Sequence, residues 1–372
     1  MSDKRRARRA KQARRDARRA KKRDAGTVLT SELIDIIRGT LAGHPVELLC
    51  VASRLAEAYE GDSLSADTSV GEMFNMMLTA RDRETLSLLA VLAELLVDKP
   101  EIQRRCRQVV EERGRGLPRW IAALPQIEVH RAVRGTHLLG DFEEILLGAR
   151  IDGTHDLAVS VHIDHNALSS VIDGSAVPLS IDEVLAKVTK SARETEISEM
   201  SLADARAWIE RGLARKTWVR QGENGILDRP LLRWLVQRLP DGGKCTRPHL
   251  GSISVGELCD QFYSTEPSAP FGSTEHRLLL SEVLLCSVDP LRWSPSRVEQ
   301  VLRDDNTYDE YPLEVALDLP DLLRVYIPFA HAQRGIRDEL TSRTIATLDG
   351  FEPEYIDEVL RRAEWWDVDD AV

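Results

Sequence analysis

The sequence predicts a mainly α fold with a small antiparallel β-meander, an α+β architecture built on a multi-helix body. Three observations predict it. Apolar residues recur at helical spacing over most of the chain, as in Leu33, Ile34, Ile36, Ile37 and Leu41. Between 126 and 178 the period shortens to two, most cleanly in Leu157, Val159, Val161 and Ile163. Aromatic residues make up 5% of a chain that is 42% hydrophobic, a balance that suits helices packed through aliphatic side chains.

Each element has a local reason. Thr30 or Ser31 caps the first helix, and Pro45 opens the second, where its missing N–H costs nothing. Helices follow near 69–80, 83–97 and 100–113. The run from Leu86 to Leu96 is apolar on several sides and predicts a central core helix. Strands are expected at Ile127–Val133, Phe142–Ile151 and Asp156–Asp164, separated by Gly140 and by Asp152-Gly153, a strong hairpin signal. Ser180 with Glu183 forms a capping box, Ser201 caps the helix that follows, and Ser294-Pro295 starts another. Helices are also expected near 231–239, 252–262, 275–288, 295–304, 312–326, 337–348 and 353–366. The resulting domain plan is a basic arm, disordered or helical, at 1–26, a helical domain at 27–125, a β insert at 126–178 and a helical domain at 179–372, with a linker expected at 241–251.

Charge is segregated. The first 26 residues hold thirteen Lys or Arg and three Asp, a net of +10, and the other 346 residues carry a net of −21. The cations are Lys4, Arg5, Arg6, Arg8, Arg9, Lys11, Arg14, Arg15, Arg18, Arg19, Lys21, Lys22 and Arg23. Such a run binds polyanions through counterion release, with little sequence discrimination, so RNA or DNA is its expected partner. The five cysteines are odd in number and never at CxxC spacing, which excludes a disulfide framework or zinc knuckle and predicts a reducing, cytoplasmic setting. The longest apolar run, Leu86 to Val97, is too short for a bilayer and contains Glu94, so no membrane span is expected. No apolar stretch follows Arg23 as a secretory signal requires.

Candidate chemistry concentrates at His155, His162, Asp164 and His165. On a strand, residues i and i+2 share a face, so His162 and Asp164 can meet at one divalent transition metal, with His155 or His165 as a further ligand. Convergence with His165 requires the strand to break at Asp164, because regular alternation sends His165 to the apolar side. No other cofactor is predicted. The acidic groups Asp141, Glu143 and Glu144, and those between 304 and 310, read as solvated carboxylates. Trp120, Trp208, Trp218, Trp234 and Trp293 are scattered at helical positions and read as core or edge residues.

The stretch Ser160 to His165 is similar to the HxHxDH motif of the metallo-β-lactamase fold, with Ser160 where that family places its first histidine. The lost ligand, together with the missing glycine-rich parallel strands, means that the family's hydrolase activity does not carry over. Five further segments resemble a functionally uncharacterised family from high-GC Gram-positive bacteria. They are Gly43-His44-Pro45 with its Leu-rich helix, Val161 to Asn166, Asp228 to Trp234, Trp293-Ser294-Pro295 with Val298-Glu299, and Asp321 to Arg324 through His331 to Ile336. That resemblance implies a bacterial cytoplasmic protein with one architecture across the body, and no activity.

Three functions are therefore expected from the sequence. The first is a non-enzymatic interaction protein whose arm binds nucleic acid. The second is a metal-dependent hydrolase using the histidine and aspartate cluster. The third is an acidic helical scaffold for a protein partner. The sequence is silent on oligomeric state and on any substrate.

Overall fold

The computed structural model describes residues 32–61, 69–191, 194–215, 228–245, 254–285, 289–303 and 311–369. The arm, Trp218, most of the expected linker and the acidic run 304–310 lie outside the described residues.

The chain opens with helix α1 (residues 32–42) and continues through α2 (Pro45–Gly61), α3 (Ser69–Thr79), α4 (Arg83–Leu95), α5 (Pro100–Arg113) and the short α6 (Arg119–Ala123). In α4, Asp82 caps the start by accepting the Thr85 N–H at 2.7 Å, and Leu88, Leu89, Val91 and Leu92 are fully buried. Burying each such side chain contributes about 1.5–3 kcal/mol, so α4 is the axis of this half, as its sequence predicts.

Five strands follow where three were expected: β1 (Glu128–His137), β2 (Phe142–Ile151), β3 (His155–Asp164), β4 (Ser170–Val177) and β5 (Thr195–Met200). They form one antiparallel sheet in the order β4-β3-β2-β1-β5. Asp152 and Gly153 both take left-handed backbone conformations in the β2–β3 turn, as the Asp-Gly signal requires. The additional strands are the two edges. Helix α7 (Ile181–Ser191) lies between β4 and β5 and covers part of the outer face, where Ile181 packs on Val133 and Leu146. Gly148 permits this approach, since a Cβ there would meet Ile181 Cγ2 at 2.9 Å.

The inner face of the sheet, with Ala132, Ile145, Leu147, Val159 and Val161, packs into a core shared with α2, α4, α8 (Leu202–Ala214) and α9 (Arg229–Val236). This core runs from Ile37 to Leu239. A second core begins at Leu258 and ends at Val359. It is built from α10 (Val255–Tyr263), α11 (Thr274–Leu285), α12 (Pro295–Leu302), α13 (Leu313–Leu317), α14 (Leu319–Arg334) and α15 (Asp338–Asp369). Trp234 and Trp293 are fully buried, one in each core. The helices expected at 337–348 and 353–366 are one helix, α15, with Pro353 inside it. Leu348, Tyr355 and Val359 all pack into the second core, and Tyr355 donates to the Ala316 carbonyl at 2.6 Å, which holds the axis through the proline. Among the described residues, no helix is long and apolar enough to cross a membrane.

Candidate functional site

Strand alternation leaves His162 and Asp164 together on the outer face of β3, as expected, and parts them from His155 and His165. His155 begins β3 and His165 follows its end, about 30 Å away at roughly 3.3 Å per residue. His155 Nδ1 lies 2.9 Å from Asp152 Oδ1, and its ring meets His44 edge-on at 5.6 Å. His162 is on the opposite, outer face, tilted against Phe142 at 4.6 Å, and Phe142 in turn stacks on His137 at 4.7 Å. Asp164 caps a turn, accepting the Asn166 N–H at 2.8 Å and the Ala167 N–H at 3.3 Å. His165 points with the apolar set and is buried. The expected convergence with His155 or His165 is thus corrected by simple alternation. Among the described residues, no group of three His, Cys, Asp or Glu is arranged to hold a metal ion.

A different constellation forms at the end of the sheet that meets the second core. Cross-strand register aligns Ile163, Glu143, Thr136 and Glu196 in one row on the inner face, and Val161, Ile145, Arg134 and Ser198 in the next. Glu143 is 2% exposed and Arg134 is 6% exposed. The Arg134 guanidinium donates to Glu143 Oε1 and lies over the Trp208 ring, 4.9 Å from its centre. His165 Nε2 is 3.7 Å from the same carboxylate oxygen, and His165 Nδ1 is 3.0 Å from Ser169 Oγ. Burial alone would raise the Glu143 carboxyl, but His165 and Arg134 outweigh it and hold the group below its usual range, as a carboxylate.

The β1–β2 turn joins this floor to the second core. Asp141 is also drawn down. Its burial is outweighed by His137, whose Nδ1 is 3.3 Å away, by the Ser294 hydroxyl and by the Asn166 amide. Arg292 donates to the Leu138 carbonyl at 2.9 Å, and Gln300 donates to the Asn166 carbonyl at 3.1 Å. Of these carboxylates expected in solvent, Glu143 is therefore buried and Asp141 is half-buried. The parity of Glu143 with Ile145 and Leu147 is the sequence signal that points it inward.

The roof is the loop before α12 and the turn after α14. Trp293 anchors the loop: its indole N–H donates to the Pro290 carbonyl at 3.0 Å, Arg297 lies 3.9 Å over its ring, and its backbone N–H donates to His331 Nε2 at 3.1 Å. His331 Nδ1 is 2.9 Å from Thr341 Oγ. His331 Nε2 also lies 3.0 Å from the Trp293 carbonyl, and burial pulls His331 down to about 4. Gly335, with φ of 63°, ends α14 in the left-handed conformation that turns Arg334, Ile336 and Arg337 toward the sheet. Asp289 Oδ2 is 3.2 Å from Arg334 and 3.4 Å from Arg292 Nε.

Between floor and roof lies a cavity of about 450 Å³. Two segments singled out in the sequence, 161–166 and 331–336, line it through His165 and through Arg334, Gly335 and Ile336. Its charged walls were not legible beforehand, because Arg292, Arg334 and Glu196 belong to segments far apart in the chain. Comparison with protein-family models, curated proteins and solved structures finds no match to this chain.

Proposed function

We propose that the protein is a non-enzymatic interaction protein of the bacterial cytoplasm whose basic arm binds RNA or DNA. The observation that carries this reading is the separation of charge, +10 within the first 26 residues against −21 in the rest. The body supports it in a specific way. Several of its surface arginines are drawn into carboxylate networks: Arg38 with Asp35 and Glu84, Arg131 with Asp182 and Glu199, and Arg324 with Asp321, Asp349 and Glu352. Cations met by neighbouring acids offer a polyanion little, whereas the arm holds ten charges in excess. Affinity then falls steeply with salt, because each neutralised phosphate releases counterions. Six to ten phosphate contacts would lose roughly 10³–10⁵ in affinity between about 50 and 200 mM salt.

Gel-shift titrations of the full chain against single- and double-stranded oligonucleotides test the reading. Removing residues 2–24 abolishes the salt-sensitive shift if the arm is the binding element. Unchanged binding by the truncated chain would overturn the proposal.

A further inference from the structure

We propose that the cavity between the sheet end and the second core binds a small zwitterion, a molecule with an amine at one end and a carboxylate or phosphate at the other. The site is separate from the arm, so this inference stands or falls independently of nucleic-acid binding.

The two walls carry opposite demands. On the floor, Glu143 Oε2 is buried and accepts no hydrogen bond. Glu196 lies in the same cross-strand row, two strands away, roughly 10 Å across the sheet at about 4.8 Å per strand. It is exposed and forms no ion pair among the described residues. Thr136 stands between these carboxylates. This wall calls for a cationic hydrogen-bond donor. Arg134 already compensates one oxygen of Glu143 and leaves the other available.

On the roof, Asp289 orients two guanidinium groups, those of Arg292 and Arg334, and Arg337 adds a third cation that is exposed and in no ion pair among the described residues. Three arginines line the roof against one aspartate, Asp289, so the lining of this wall holds more cations than anions. Guanidinium groups recognise carboxylate and phosphate oxygens through paired N–H donors. A simple anion would satisfy the roof and meet Glu196 and the open Oε2 of Glu143 on the floor. A simple amine would do the reverse. A molecule bearing both groups satisfies both walls. The volume of about 450 Å³ falls in the range of roughly 300–1,000 Å³ typical of small-ligand sites. The walls are also set before any ligand arrives. Ser294 holds Asp141, Arg292 holds Leu138, and Trp293 and His331 hold the loop that carries Asp289.

The test is calorimetric titration of the full-length protein, with thermal shift as a second readout. The panel holds the proteinogenic amino acids singly, phosphoethanolamine, and acetate and ethylamine as half-ligands. The expected result is saturable one-to-one binding of an amino acid or of phosphoethanolamine, with each half-ligand at least about 100-fold weaker. Which of the two binds distinguishes a carboxylate from a phosphate end. Glu196→Gln and Arg337→Ala, both at exposed positions, should each weaken binding about tenfold or more. Glu199→Gln, which faces the other side of β5, should leave it unchanged. No binding by any zwitterion at millimolar concentration would overturn the proposal. So would half-ligands that bind as tightly as the zwitterion, or affinity that is the same in Glu196→Gln, Arg337→Ala and the native chain.

Discussion

The two ends of the β-sheet are made of similar residues and behave differently. At the β2–β3 turn, Asp152, Thr154 and His155 form a local polar cluster at the surface. At the opposite end, Asp141, Glu143 and His165 are folded inward among Arg134, His137 and Ser294. The chemistry of the side chains does not distinguish the ends; what is packed over them does. The first end faces water, so its contacts are worth little. The second is covered by α12, α14 and the loop between Asp289 and Ser294, so every charge there must be matched.

Substitutions at the two ends sharpen this contrast. The largest effect is expected for Glu143→Ala, which leaves the Arg134 guanidinium buried without its carboxylate and should cost about 3–5 kcal/mol in urea unfolding. Asp152→Ala, at the open end, should stay within about 1 kcal/mol of the native chain. Equal losses at both ends would erase the distinction.

Acid stability gives the next effect. His331 is held neutral by burial, with its pKa lowered from 6.5 to about 4. The unfolded chain takes up that proton first as pH falls. Stability should therefore be full above about pH 6.5, decline through the window down to about 4, and lose up to about 3 kcal/mol there. His331→Asn should flatten this slope whatever its own cost in stability. Glu143 and Asp141, both drawn below the ordinary carboxylate range, contribute stability that is lost at more acid pH. A slope that persists in the variant would remove His331 from the account.

The smallest effect belongs to the turn that carries His165. Leu168 and Ser169 both take positive φ, and Leu168 is 65% exposed. Leu168→Gly relieves backbone strain of about 1–2 kcal/mol at the expense of about 0.5–1 kcal/mol of chain entropy, so thermal unfolding should move slightly upward. A marked fall would mean that the leucine side chain has a packing role that its exposure does not suggest.

Local signals in the sequence carried much of the fold. The Asp152-Gly153 turn, the Ser180–Glu183 box, the Ser201 cap and the Ser294-Pro295 start all form as the residues require. The missed strands have physical reasons. β5 is a six-residue edge strand whose residues are mostly exposed, so it has no apolar alternation to read. β4 contains a register shift opposite His162 and Ile163 that breaks its period. In α15, Gly350 and Pro353 spell a break that packing on the second core overrides. The site was legible only in fragments. The parity of Glu143 with buried neighbours was readable, but Arg134 lies one residue past the strand expected to end at Val133, and the meeting of Asp141 with Ser294, 153 residues apart, is a product of tertiary structure.

That meeting is also the most direct handle on the central claim, that the sheet end and the second core form one fixed site. A double-mutant cycle combining Asp141→Asn and Ser294→Ala measures it, with stability read by urea unfolding. A charge-assisted hydrogen bond predicts a coupling energy of about 1–3 kcal/mol. Strictly additive losses would show that the two halves are not locked together at this point and would contradict the account.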